Sequence, residues 1–112
     1  MFRKLLGSSP AVAEVDVNEA WRRMQDDKAV LLDVREANEV REAAVPGALH
    51  IPLGQLSQQG STLPRDRDLL VLCRSGNRSS LATEMLHKNG FDRAYNVSGG
   101  IIAWSQARLP IE

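Results

Sequence analysis

Apolar residues are grouped along the chain in two different ways, and the first is the short continuous run. Residues 29–34 and 68–73 are such runs, with almost no polar side chain inside them. Runs of this length without alternation are typical of strands buried on both faces, as in a parallel sheet. Residues 48–51 and 94–97 predict two further short extended segments. The pattern therefore predicts strands at four places.

The second grouping has helical spacing. A helix is predicted to begin after Asp16, because Asp16 and Glu19 have the spacing of a capping box and apolar residues then recur every three or four positions. Mixtures of helix formers with an apolar stripe predict further helices over residues 37–44, 79–89 and 100–107. Helices and strands thus alternate.

Residues 55–67 interrupt this alternation with a polar stretch that contains Gly60 and Pro64, which predicts a long crossover loop with one helical turn. Parallel strands need crossovers that cover the sheet, so the order of elements predicts an α/β domain with an open, mostly parallel sheet and helices on both faces. Ligands bind at the carboxyl ends of strands in such folds. Residues 73–78 follow the more apolar of the two long strands and are the first candidate site.

Length and charge narrow the possible classes of protein. The chain has 112 residues, which suits a single domain, predicted over residues 11–112 after an extension of residues 1–10. Fourteen basic and fourteen acidic residues cancel, so no overall positive field would draw the chain to nucleic acid or anionic lipid. Any binding of anions must be local.

A membrane-spanning or secreted protein is not expected, and neither is a protein stabilised by disulfides or by a thiolate zinc site. The apolar runs are far too short to span a bilayer, and the first ten residues do not form a convincing signal peptide. Cys73 is the only cysteine, so the chain cannot form an intramolecular disulfide or a multi-thiolate zinc site. We therefore expect a cytoplasmic protein without a metal centre.

The segment after the strand at 68–73 has the chemistry of a small anion site. A cysteine is followed by a polar loop that contains glycine and two arginines and leads directly into a helix. Such a loop can curl so that its backbone N–H groups surround the sulfur, and the helix N-terminus and the arginines also favour thiolate over thiol. Cys73 is the candidate nucleophile. The candidate substrate-binding residues are Arg74, Ser75, Gly76, Asn77 and Arg78.

A plainer interpretation of Cys73 must be weighed against this one. A lone cysteine at the end of an apolar strand is often only a small buried hydrophobic side chain. A structural cysteine, however, does not require a glycine-containing loop with two arginines in front of a helix. The loop therefore favours the functional interpretation.

Four segments in this order resemble the rhodanese-like sulfurtransferases, specifically their single-domain form. They are residues 33–36, residues 45–53, the loop 73–78, and residues 96–100 together with Trp104. The resemblance extends from about residue 12 to residue 109. It implies a rhodanese-like α/β domain with a five-stranded sheet, in which Asp33 and Arg35 have a structural role.

The resemblance also implies a reaction. Cys73 would accept a sulfane sulfur from a small anionic donor such as thiosulfate, become a persulfide, and pass the sulfur to cyanide, a thiol or a partner protein. No metal or organic cofactor is needed for this chemistry. Because the chain has no second thiol to resolve the persulfide, the acceptor must be external.

Two alternatives remain open at this stage. Cysteine phosphatases and related arsenate reductases have a similar loop, but it is one residue longer, and the four residues between Cys73 and Arg78 favour a smaller group than tetrahedral phosphate. The other alternative is a sulfur relay or binding module that has little turnover with small molecules and delivers sulfur to one partner protein.

Overall fold

The protein was analysed as a computed structural model that describes residues 12–112. Five strands form one sheet, in which every neighbouring pair is parallel. The strands are β1 (Glu14–Val15), β2 (Ala29–Asp33), β3 (Leu49–His50), β4 (Asp68–Leu72) and β5 (Ala94–Val97), and they lie side by side in the order β1-β5-β4-β2-β3. The prediction of a single α/β domain with a parallel five-stranded sheet is confirmed.

Helices connect the strands, as the pattern predicted. They are α1 (Val17–Gln25), α2 (Ala37–Glu42), α3 (Leu56–Gln59), α4 (Asn77–Lys88) and α5 (Gly100–Gln106), and short 3₁₀ turns at Leu53–Gln55 and Gly60–Thr62 flank α3. The polar stretch 55–67 therefore contains more helical structure than the single turn predicted for it. Within residues 12–112, no helix combines the length and apolar content needed to cross a bilayer.

The two faces of the sheet bury separate hydrophobic clusters. Alternate residues of β4 point to opposite faces, so that Leu69 and Val71 pack with α3 and α4, whereas Leu70 and Leu72 pack with α1 and α5. The fully buried Trp104 of α5 belongs to the second cluster. Burial on both faces explains why the two long strands are continuous apolar runs.

Other details also differ from the predictions. The strand β1 was not located by the hydrophobic pattern, because it has two residues and only Val15 is buried. α4 begins at Asn77 rather than at residue 79, since Gly76 has a φ of +108° and acts as the N-cap. α2 ends at Glu42, two residues before the predicted end. The predicted extension of residues 1–10 lies outside the described residues.

Candidate active site

Cys73 lies directly after β4, with parallel strands on both sides of β4. The chain then turns through residues 74–76 into α4, and Gly76 supplies the positive φ that makes this turn possible. The loop is therefore shorter than the predicted segment 73–78, because Asn77 and Arg78 form the first turn of α4. The N-terminal end of α4 is directed toward the loop, which places its partial positive charge near the cysteine.

The Cys73 sulfur is surrounded by hydrogen-bond donors. The backbone N–H of Gly76 donates to Sγ at 3.1 Å, and the Ser79 hydroxyl lies 3.2 Å from Sγ. Burial raises the pKa of the Cys73 thiol, but hydrogen bonds from the Ser79 side chain and from the N–H groups of Ser79, Gly76 and Ser75 outweigh it, so the pKa lies below the ordinary cysteine value. Cys73 is itself only 1% exposed. The geometry favours a thiolate.

The outer side of the loop is held by α5. The N–H groups of Ile101 and Ile102 donate to the carbonyl oxygens of Cys73 and Arg74, at 2.9 and 3.2 Å. Gly100 allows this approach, because a Cβ at that position would lie 2.3 Å from the Arg74 oxygen. With its carbonyls bonded on the outside, the loop presents its N–H groups to the sulfur. The sequence predicted only that Gly100 begins a helix. The adjacent glycines Gly99 and Gly100 were the one feature of the sequence that could have indicated this close contact.

Arg78 has a partner that the sequence did not reveal. Its guanidinium donates to both carboxylate oxygens of Glu39 in α2, at 2.7 and 2.8 Å. The hydrogen bonds from Arg78 hold the pKa of Glu39 down at about 2, so this carboxylate is charged at neutral pH. Arg74, in contrast, is exposed on the loop, as are Ser75 and Asn77. The arginine at the start of α4 is thus partly neutralised by Glu39.

Asp33 and Arg35 lie behind the site as a buried ion pair. The Arg35 guanidinium contacts the Asp33 carboxylate at 2.8 Å, and the two side chains are only 4% and 1% exposed. Arg35 also donates to the carbonyl oxygen of Ala43 at 2.7 Å, which ties the pair to the end of α2. His50 contacts the Arg35 carbonyl oxygen through Nε2, at 2.7 Å. These contacts orient α2 and hence Glu39.

A polar chain runs inward from the sulfur. Ser79 and Asn96 are both buried, and the Ser79 hydroxyl lies 2.5 Å from Asn96 Oδ1. Asn96 is brought here by the register of β5 next to β4, and sequence reasoning placed it in a motif without assigning it a function. In the described part of the chain, His, Cys, Asp and Glu side chains form no group of three or more that could hold a metal ion.

Comparison with known proteins agrees with this fold. The family model of the rhodanese-like domain matches residues 16–107, and the chain belongs to the rhodanese-like family. Its relatives include a sulfurtransferase of Allochromatium vinosum, 40% identical over 101 residues, a match covering 89% of this chain and 94% of the relative. The thiosulfate sulfurtransferase GlpE of Actinobacillus succinogenes is 33% identical over 102 residues, covering 91% and 92%.

A solved structure shows the same architecture. The crystal structure of a rhodanese-related protein from Thermoplasma volcanium superposes with a TM-score of 0.83 at 28% identity, and the match covers 89% of this chain and 97% of that one. Together with the names of the curated relatives, this similarity supports sulfur transfer as the general class of activity.

Proposed function

We propose that this protein is a sulfurtransferase that carries sulfane sulfur on Cys73. The observation on which the proposal depends is the position of the Cys73 sulfur, which accepts a hydrogen bond from Gly76 N–H at 3.1 Å inside a loop braced by α5. The hydrogen bonds that lower the pKa of Cys73 favour the thiolate that attack on a sulfur donor requires.

The first half-reaction loads the cysteine. The Cys73 thiolate attacks the outer sulfur of a donor such as thiosulfate, a sulfur–sulfur bond forms to Sγ, and the bond to the sulfonate breaks. Sulfite leaves with the electron pair of the broken bond. Arg74 and Arg78 would attract the anionic donor, and the loop N–H groups would stabilise the negative charge of the persulfide.

The second half-reaction removes the transferred sulfur from Cys73. An external nucleophile, either cyanide or a thiol of a small molecule or partner protein, attacks the terminal sulfur and takes it, and the Cys73 thiolate is restored with the electron pair. No other cysteine exists in the chain to carry out this step. Since the thiol must stay reduced between cycles, we propose a reducing compartment such as the cytoplasm.

The site suits phosphate less well. Arginine commonly binds phosphoryl oxygens with two parallel N–H donors, whereas both terminal nitrogens of Arg78 already donate to Glu39. Four residues between Cys73 and Arg78 also leave a narrower ring than a phosphatase loop has. Both observations support sulfur over phosphoryl transfer.

Intact-protein mass spectrometry tests the proposal. The reduced protein should gain the mass of one sulfur atom after thiosulfate and lose it after cyanide, and Cys73→Ser should gain none. Sulfur that loads but passes only to a protein thiol would identify a relay module rather than an enzyme for small acceptors. Failure of the folded protein to load from thiosulfate or another sulfane donor, together with Cys73-dependent hydrolysis of an aryl phosphate, would overturn the proposal in favour of a phosphatase.

A further inference from the structure

One hydroxyl hydrogen in the candidate active site faces two acceptors. Ser79 Oγ lies 3.2 Å from Cys73 Sγ and 2.5 Å from Asn96 Oδ1. A serine hydroxyl has a single hydrogen, so it can donate to only one of these atoms at a time. Ser79 and Asn96 are 0% and 2% exposed, and a buried acceptor without a donor is costly.

The orientation of the Asn96 amide is determined by its other contacts. Nδ2 lies 3.2 Å from a carboxylate oxygen of Glu14 and 3.3 Å from the carbonyl oxygen of Gly76. Both of these oxygens only accept hydrogen bonds, so the amide nitrogen must face them. Oδ1 therefore faces Ser79, whose hydroxyl is within donating distance of both Oδ1 and the Cys73 sulfur.

The two protonation states of Cys73 place opposite demands on Ser79. In the thiol state, Sγ–H donates to Ser79 Oγ while Ser79 donates to Asn96, and every group is satisfied. In the thiolate state, the thiol proton has passed to water, and Sγ is a charged acceptor. Ser79 must then either direct a lone pair at the charged sulfur or turn its hydrogen toward the sulfur and leave Asn96 Oδ1 without a donor.

We propose that Asn96 competes with Cys73 for the hydrogen of Ser79, so that Ser79 favours the thiolate and Asn96 opposes it. The inference rests on the proposed function for its significance, since thiolate is the form that attacks a sulfur donor. Ser79 and Asn96 are thus positioning residues that act through Cys73. Asn96 holds back the reactivity of the sulfur and at the same time secures the loop through Gly76.

Charged groups around the pair come from α4, α2, β1 and the loop, and they remain in place in the test. Arg78 in α4 is the cation near Cys73, and Glu39 of α2 neutralises it in part. Glu14 of β1 faces the amide nitrogen of Asn96 rather than the sulfur. Arg74 lies exposed on the loop. Substitutions at Ser79 and Asn96 with uncharged residues change none of these charges.

The experiment measures the thiolate fraction of Cys73 against pH, by the ultraviolet absorbance of the thiolate and by the rate of alkylation with iodoacetamide. Cys73 is the only thiol, so both signals report on it alone. Asn96→Ala should lower the midpoint pH of the thiolate titration by about one pH unit, because Ser79 becomes free to donate to the sulfur. Ser79→Ala should raise the midpoint by a similar amount.

The double variant distinguishes this competition from a general structural effect. In the Ser79→Ala background, Asn96→Ala should no longer lower the midpoint, because the shared hydrogen is gone. Asn89→Ala, an exposed asparagine outside the site, is the matched control and should leave the midpoint unchanged.

The proposal is overturned if Asn96→Ala leaves the midpoint unchanged or raises it. It is also overturned if Asn96→Ala lowers the midpoint by the same amount in the presence and in the absence of Ser79. Circular dichroism checks folding, and Asn96→Ser, whose shorter side chain cannot reach Ser79 as the amide does, replaces Asn96→Ala if that variant is unfolded. The titration needs no sulfur donor. A protein that shows these shifts but does not load sulfur would overturn the proposed function and not the competition.

Discussion

Arg78 and Glu39 are 39 residues apart in the chain, yet the guanidinium of one donates to both carboxylate oxygens of the other. The pair joins the first turn of α4 to α2, so one of the two arginines of the candidate site is held by a residue outside the loop. An incoming anion must share Arg78 with a carboxylate that is already bound to it.

Removing the charge of Glu39 should strengthen the binding of an anionic donor. In Glu39→Gln the positive charge of Arg78 is no longer compensated, and we expect the KM for thiosulfate to fall about two- to fivefold. The change should shrink as salt is added, because the charges are partly exposed. Steady-state kinetics at two ionic strengths measure it. Glu42→Gln, on the same helix but exposed, is the control. A higher KM in Glu39→Gln would contradict the prediction and show that Glu39 instead holds Arg78 in a productive position.

The same pair should make stability depend on pH in acid. The pKa of Glu39 is lowered to about 2 from a usual value of 4.5, so the ion pair stabilises the folded protein fully above pH 4.5, and this stabilisation is lost as the pH falls toward 2. Because the pair is partly exposed, we expect the loss to be about 1 kcal/mol. Urea unfolding at several pH values should show a smaller decline in Glu39→Gln than in the wild type. Comparison of the two cancels the contribution of Glu19, whose pKa is also lowered to about 2; parallel declines would contradict the prediction.

Gly100→Ala should displace the loop where it contacts α5. The new Cβ would lie 2.3 Å from the Arg74 oxygen and 2.5 Å from the Cys73 oxygen, at a φ of +59°. We expect a loss of about 2–4 kcal/mol in the free energy of unfolding, from backbone strain and from displacement of the loop, together with loss of sulfur loading. Gly47→Ala is a matched control, because Gly47 has a φ of +83° but nothing within 4 Å of a Cβ. Equal effects of the two variants would mean that the close approach contributes nothing.

The buried ion pair behind the site should be far more important for stability than an exposed one. Arg35→Met leaves the Asp33 carboxylate buried without its partner and removes a donor from Ala43, which should cost about 3–5 kcal/mol. Arg67→Met removes one side of an exposed pair with Asp27, and should change stability by no more than about 0.5 kcal/mol. Urea unfolding measures both. A cost for Arg35→Met no larger than that for Arg67→Met would show that Asp33 and Arg35 are not a structural support.

The parts of the fold that the sequence predicts are those determined by neighbours in the chain. β2 and β4 were evident as apolar runs because both of their faces are covered, and the loop after Cys73 was evident because its residue types favour a thiolate. β1 was not evident from the sequence, since its two residues form a strand only by pairing with Asn96 and Val97 of β5. A pairing of this kind is decided by packing across the sheet.

The same limit applies to the candidate site. The sequence identified Cys73 and its loop as the candidate, but three contacts around them join distant segments: Glu39 with Arg78, Asn96 with Ser79, and Gly100 with the loop carbonyls. Strand register and helix docking bring these residues together, and local residue patterns do not encode either one. The roles assigned to the loop residues in sulfur transfer remain predictions.

The bonds from α5 to the carbonyls of Cys73 and Arg74 connect reactivity to the order of folding. The cysteine and its loop precede α5 in the chain, so the N–H groups that hold the loop in its curled form are contributed by a segment synthesised later. A nascent chain that ends before residue 100 would have the thiol without the braced loop. The curled form of the loop, whose N–H groups lower the pKa of Cys73, is therefore complete only when α5 has docked on the sheet.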